Sequence, residues 1–165
     1  MKPEVLARIR IVKRASQILR AGTWRMTDAV DRVVLDADER YRRRIVLTGE
    51  RGRKFLLDLP EATALRDGDG LVLDDGNFVA VVAKPEPLIE IAAEDAERTA
   101  TMARLAWHLG NRHTELQIVG DKLRMRRDHV LEEMLVGLGA RLTPIEAPFE
   151  PERGAYEHGH GGKRG

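Results

Sequence analysis

The chain has 165 residues, enough for one or two small domains, with 42% hydrophobic residues to build a core and 33% charged residues to cover it. A formal net charge of +1 supplies no broad electrostatic drive toward nucleic acid or acidic lipid. Cysteine is absent, which excludes disulfides, zinc–thiolate centres and cysteine nucleophiles, so a transition metal would need imidazole, carboxylate or backbone ligands.

Taken in chain order, the first half reads as strands. LARIRIV alternates through Leu6, Ile9 and Ile11, and RVVLDA is short and β-branched. RRIVLTGERGRKFLLDL places two apolar runs around a glycine-containing turn, a hairpin pattern. LRDGDGLVLDDGNFVAVVA repeats it, with Asp-Gly turns at Asp67-Gly68, Asp69-Gly70 and Asp75-Gly76. These short strands predict a small all-β domain over residues 1–83. The two prolines of KPEPL then make 84–87 a linker.

The second half changes period. LIEIA, from Leu88, alternates as a strand. Glu94 to Leu109 reads as a helix with Ala96, Ala100, Ala103 and Trp107 on its apolar stripe, widened by Leu105 and Leu109. Gly110 is taken as its stop. ELQIV and KLRMR flank Gly120-Asp121, a two-residue hairpin turn. Asp128 is a natural N-cap for a second helix with Val130, Leu131, Met134, Leu135 and Leu138 inward, ended by Gly139. RLTPIEAPF is a last strand. The order βαββαβ over 88–149 predicts a ferredoxin-like domain, so the whole is α+β. Residues 150–165, rich in glycine and charge, are expected to be a flexible histidine-bearing tail. No apolar stretch reaches the roughly 18 residues of a membrane span, and the expected location is cytoplasmic.

Five histidines are the chemically interesting residues. His108 and His113, five apart, would stand about 140° from each other on a continuous helix, so they are not the i, i+4 pair of a zinc helix. His108 suits a helix C-terminus, where imidazole complements the dipole. His113 lies beyond the helix, where no cap needs it. A ligand role and an ordinary loop role both remain open for it. His129, next to the Asp128 cap, reads as an exposed helix residue. His158 and His160 form His-Gly-His, which is either a ligand pair turned to one ion or a polar tail. One His113 cannot hold a divalent ion well. Two copies across a dimer axis, with tail imidazoles added, would make a four-nitrogen site.

Other motifs have ordinary explanations. Asp67-Gly-Asp-Gly resembles a calcium loop but has Phe78 where the twelfth-position acid belongs, so it reads as turns. ERYRRR (39–44) reads as charge protecting a strand edge. There is no P-loop, no G-x-S-x-G and no isolated carboxylate pair, so no catalytic residues are expected.

Two blocks carry a longer likeness: RRIVLTGERGRKFLLDLPEATALRDGDGLVLDDGNFVAVVAKPEPLIEI, and LAWHLGNRHTELQI followed by LRMRRDHVLEEMLVGLGARLTPIEAPFEPERGAY. Across about residues 30–156 the chain resembles the urease accessory protein E family of nickel metallochaperones. The resemblance implies an N-terminal domain similar to the peptide-binding domain of DnaJ-type co-chaperones and a C-terminal ferredoxin-like metal-binding domain. It implies a homodimer through the C-terminal domains, nickel held by His113 and its mate, and coordination completed by His158 and His160. It implies delivery of nickel to apo-urease with an accessory GTPase that does the nucleotide hydrolysis. Zinc or copper would also bind such imidazoles in vitro. The chain departs from some members in lacking a long histidine run and in having Arg127 two positions before His129. This disfavours high-capacity storage and a peripheral site at His129. Two other classes compete: an RNA-binding module, disfavoured because ELQIV and KLRMR have no aromatics to stack bases, and a peptide-binding adaptor with incidental histidines.

Overall fold

The structure, a computed structural model, describes residues 13–154. The chain divides into two compact units, with the boundary in sequence between Lys84 and Pro85.

The first unit is mostly strand. Its elements are β1 (Lys13–Leu19), β2 (Ala29–Leu35), a one-turn helix α1 (Ala37–Arg40), β3 (Tyr41–Thr48), β4 (Lys54–Ala64), β5 (Gly70–Leu73) and β6 (Phe78–Ala83). They form one six-stranded sheet in the order β2-β6-β5-β1-β4-β3. Alternation decides which faces go in: Phe55, Leu57 and Leu59 of β4 are buried, as are Val33 and Leu35 of β2 and Val79 and Val81 of β6. Both expected hairpins form, β3 against β4 and β5 against β6. The LARIRIV strand lies outside the described residues. The strand that is described, KRASQIL, has little apolar pattern, yet it takes a central place between β4 and β5.

Three carboxylates bolt this unit together. Asp31, buried on β2, accepts backbone N–H bonds from Arg32 at 2.7 Å, Arg51 at 3.0 Å and Arg53 at 3.2 Å, tying β2 to the β3–β4 turn. Gly49 leaves room for it: a Cβ there would lie 2.1 Å from the Asp31 Oδ2. Asp69, 1% exposed, accepts from the N–H groups of Ala21 and Arg66 and from the Arg20 guanidinium. Asp67 accepts from the Ala83 N–H at 2.8 Å. The aspartates of the calcium-like loop are thus engaged in fastening backbone. The Asp67-Gly68 and Asp75-Gly76 turns form, whereas Gly70 already belongs to β5. Arg42, Arg43 and Arg44 stand exposed on β3, the last strand of the sheet, which fits charge placed on an edge.

The second unit runs β7 (Pro85–Ala92), α2 (Arg98–Asn111), β8 (Gln117–Val119), β9 (Lys122–Arg126), α3 (His129–Gly137) and β10 (Arg141–Pro148). Its sheet is antiparallel throughout, in the order β10-β7-β9-β8. One face carries Ile89, Ile91, Leu123 and Met125, and against it pack Leu105 and Leu109 of α2 and Leu135 of α3. The other face is charged: Glu90 pairs with Lys122 and Arg124, and Glu86 with Arg126. The Lys122 hydrogen bond holds the Glu90 carboxyl below its ordinary range; burial opposes this, and Arg124 reinforces it.

Three expectations for this half need correction. Residues 85–87 are strand rather than linker, paired with Ala147, Pro148 and Glu146 of β10. The prolines are tolerated because β9 joins β7 only from Leu88, so this end of β7 has a ladder on one side alone. Helix α2 begins at Arg98 instead of Glu94, and the stripe of Ala100, Ala103 and Trp107 faces outward, Trp107 being 65% exposed. The helix also continues through Gly110 to Asn111.

Candidate metal site

Topology gathers several chain ends at one end of the second unit. Helix α2 finishes there and β8 starts; β9 finishes and α3 starts; β10 runs out into the segment that leads to the tail. His113 lies in the connection from α2 to β8 and His129 opens α3, and both are exposed.

His113 occupies a demanding backbone position. Its φ is +55°, and it is the one non-glycine residue with positive φ among the described residues. The His113 N–H donates to the Gly110 carbonyl at 3.0 Å, and the Thr114 N–H to the Leu109 carbonyl at 3.1 Å. This is the paired closing pattern of a Schellman motif, with His113 as the left-handed residue just past the helix. Helix α3 closes in the same way: the Gly139 N–H donates to Val136 at 3.0 Å and the Ala140 N–H to Leu135 at 3.0 Å. There the left-handed residue is the usual glycine, at φ +88°. His113 is therefore a capping residue after all, contrary to the sequence reading. The imidazole, however, contributes nothing to that cap, which is made by backbone groups.

His108 lies in the last turn of α2, half-buried, with its ring edge-on to Trp107 at a centroid distance of 5.0 Å. It is a helix-end residue, as its spacing from His113 suggested. His129 follows the α3 cap, where the Asp128 carboxylate accepts from the Leu131 N–H at 3.1 Å. Its neighbour Glu132 is engaged by Arg127 at 2.8 Å and by the Asp128 N–H at 3.0 Å. Among the described residues no three His, Asp or Glu side chains converge to hold an ion.

His158 and His160 lie outside the described residues. The point from which their segment departs is nonetheless fixed. After β10, Phe149 is fully buried, with the Arg126 guanidinium 5.1 Å from its ring centre. The Glu150 N–H donates to Gln117 Oε1 at 3.2 Å, and the Glu152 N–H to the Leu116 carbonyl at 2.7 Å. The tail expected from residue 150 is thus strapped to the fold as far as Glu152. The acceptor that holds the strap's end, the Leu116 carbonyl, lies three residues in sequence from His113, and six extended residues, about 20 Å, separate Glu152 from His158. The sequence held no clear sign of this strap, since PFEPER carries no regular period.

Known proteins bear the same pattern over most of the chain. The family description "UreE urease accessory protein, N-terminal domain" matches residues 12–84, and its C-terminal counterpart matches residues 86–165. The chain is 56% identical over 151 residues to the urease accessory protein UreE of Bradyrhizobium sp. (strain ORS 278), covering 90% of this chain and 70% of that protein. It is 55% identical over 149 residues to that of Rhodopseudomonas palustris (strain HaA2), covering 90% and 67%. Against the protein of the same name from Rhodobacter capsulatus the identity is 46% over 149 residues, covering 90% of each.

Proposed function

The chain belongs to the UreE urease accessory protein family, and from that membership we infer that it is a nickel-binding metallochaperone. Its role lies in urease maturation, as an accessory protein and not as a catalyst. In this reading it carries nickel as cargo to apo-urease in concert with an accessory GTPase. The ligands are His113 from each of two chains, completed by His158 and His160.

The observation that carries this reading is the backbone of His113. A left-handed L-residue costs roughly 1–2 kcal/mol, and the neighbouring helix avoids that cost with glycine. Strain of this kind, on an exposed imidazole that caps nothing with its side chain, points to a function for the ring. Support comes from the strap, which roots the His158–His160 segment within reach of the same loop. A second copy has a surface to meet: of eight exposed large hydrophobic residues described, Trp107, Ile118, Val130, Val136 and Leu138 belong to the second unit. The ferredoxin-like reading of that unit rests on its βαββαβ order and its β10-β7-β9-β8 sheet.

Imidazole binds metal only when neutral, so affinity is expected to fall as the solution is acidified. No helix among the described residues is long and apolar enough to cross a membrane. Titration calorimetry with nickel tests the reading. The expected result is one tight ion per two chains, with at least a hundredfold loss of affinity in His113→Ala. Unchanged binding in that variant would remove His113 from the site.

A further inference from the structure

The segment that follows His113 is tied at three consecutive residues. The Glu115 carboxylate accepts from Arg126 Nη1 at 2.8 Å, the Leu116 carbonyl from the Glu152 N–H at 2.7 Å, and Gln117 Oε1 from the Glu150 N–H at 3.2 Å. Arg126, the last residue of β9, takes part on both sides of this arrangement. Its Nη1 holds Glu115, two residues after His113. Its Nε donates to Glu86 Oε1 of β7 at 3.2 Å, and its guanidinium lies 5.1 Å from the centre of the Phe149 ring, where the strap begins. A guanidinium suits this task because it has donors on separate edges and a flat face that lies against an aromatic ring, whereas an ammonium is a point charge. The contacts are sheltered: Phe149 is fully buried, and Glu86 is 15% exposed.

The neighbouring charges have other partners. Asp128 caps α3 through the Leu131 N–H, Arg127 pairs with Glu132, and Arg124 pairs with Glu90. Arg112 is exposed and forms no ion pair among the described residues. We propose that Arg126 is a positioning residue of the metal site: by clasping Glu115 and Phe149 it fixes the His113 loop against the Phe149–Glu152 strap before any ion arrives. This rests on the metal reading of His113. A loop ordered in advance lowers the entropy cost of binding. Direct electrostatics acts in the opposite sense, because a guanidinium near a divalent cation repels it. The direction in which nickel affinity moves when Arg126 is replaced therefore separates positioning from charge.

The test uses full-length protein carrying Arg126→Gln or Arg126→Lys. Without metal, hydrogen exchange at the Glu150 and Glu152 amides is expected to quicken at least tenfold in both variants, while the β7–β10 ladder about Ile91 exchanges as before. In nickel titration calorimetry both variants are expected to bind at least tenfold more weakly. Lysine keeps the charge but lacks the fork and the flat face, so wild-type behaviour of Arg126→Lys would reduce Arg126 to a charge and overturn the proposal. Unchanged exchange, or unchanged or tighter nickel binding in Arg126→Gln, overturns it as well. Ile91→Val, in the buried core, controls for a general loss of stability. It should keep wild-type nickel affinity, and an equal loss there also overturns the proposal. His113→Ala distinguishes the two readings. If it binds nickel like the wild type, the metal reading fails and the positioning role falls with it, while the exchange result still reports the clasp. If only the Arg126 variants bind like the wild type, the positioning role alone is lost.

Discussion

His113 and Asp31 show two ways in which a single residue carries more than its side chain suggests. His113 was legible as the histidine to watch, because it follows a helix without an evident structural task. Its left-handed backbone was not legible, because Gly110 offered itself as the helix stop and diverted the cap three residues upstream. Replacing His113 by glycine separates the two roles. The variant is expected to gain up to about 1 kcal/mol in urea unfolding, relief of the backbone strain offset partly by glycine's freedom in the unfolded chain. The same variant should lose nickel. A destabilised His113→Gly would mean that the ring makes contacts the fold needs. Asp31 is the structural counterpart. Burial pushes its carboxyl up, but the backbone N–H bonds from Arg51, Arg32 and Arg53 together outweigh that and leave it below 3.8. A carboxyl depressed in the folded state stabilises fully above its unfolded value, and that contribution is lost as pH falls through the folded value. Asp31→Ala leaves three donors without their acceptor, at roughly 1–3 kcal/mol for each that stays buried. Unfolding curves should therefore show a large loss at neutral pH that narrows below about pH 4 as the wild type loses its own advantage.

At the scale of elements, local chemistry was readable where one residue type dictates one geometry. The β3–β4 and β5–β6 hairpins follow from their glycine turns, Gly120 opens the β8–β9 turn at φ +60°, and Asp128 caps α3 as its position required. Elements were misread where two solutions satisfy the same pattern. Alanines at helical spacing fit an inward or an outward face equally. The long side chains of Met102, Leu105 and Leu109 decide the matter, because they bury more area than Ala100 and Ala103. The residues before α2 are used otherwise: Glu94 pairs with Arg141, and Asp95 accepts from the Thr101 hydroxyl at 2.8 Å. β1 was invisible because Ala15 is its one fully buried residue and its place depends on distant partners, β4 and β5. Two substitutions discriminate the faces of α2. Leu105→Ala is expected to cost 2–5 kcal/mol, roughly the range for a buried leucine, while Ala103→Ser should stay within about 0.5 kcal/mol. The reverse order in chemical denaturation would restore the alanine–tryptophan stripe as the core face.

At the scale of the whole molecule, the sequence marked the mixed α+β architecture, while the nearness of His113 to the root of the tail had to come from topology. The βαββαβ path of the second unit returns the ends of α2, β9 and β10 to one place, so His113 and the root of the tail become neighbours although Glu152 lies 39 residues further along. No window of sequence contains that juxtaposition. In the proposed site two chains share a nickel ion between their His113 residues, with tail imidazoles completing the shell. Diffraction from the nickel-loaded full-length protein, with anomalous data collected at the nickel edge, tests it most directly. The account expects one anomalous peak on the two-fold axis, bonded to both His113 rings. A peak bound within a single chain, at His129 or at the tail alone, would contradict it.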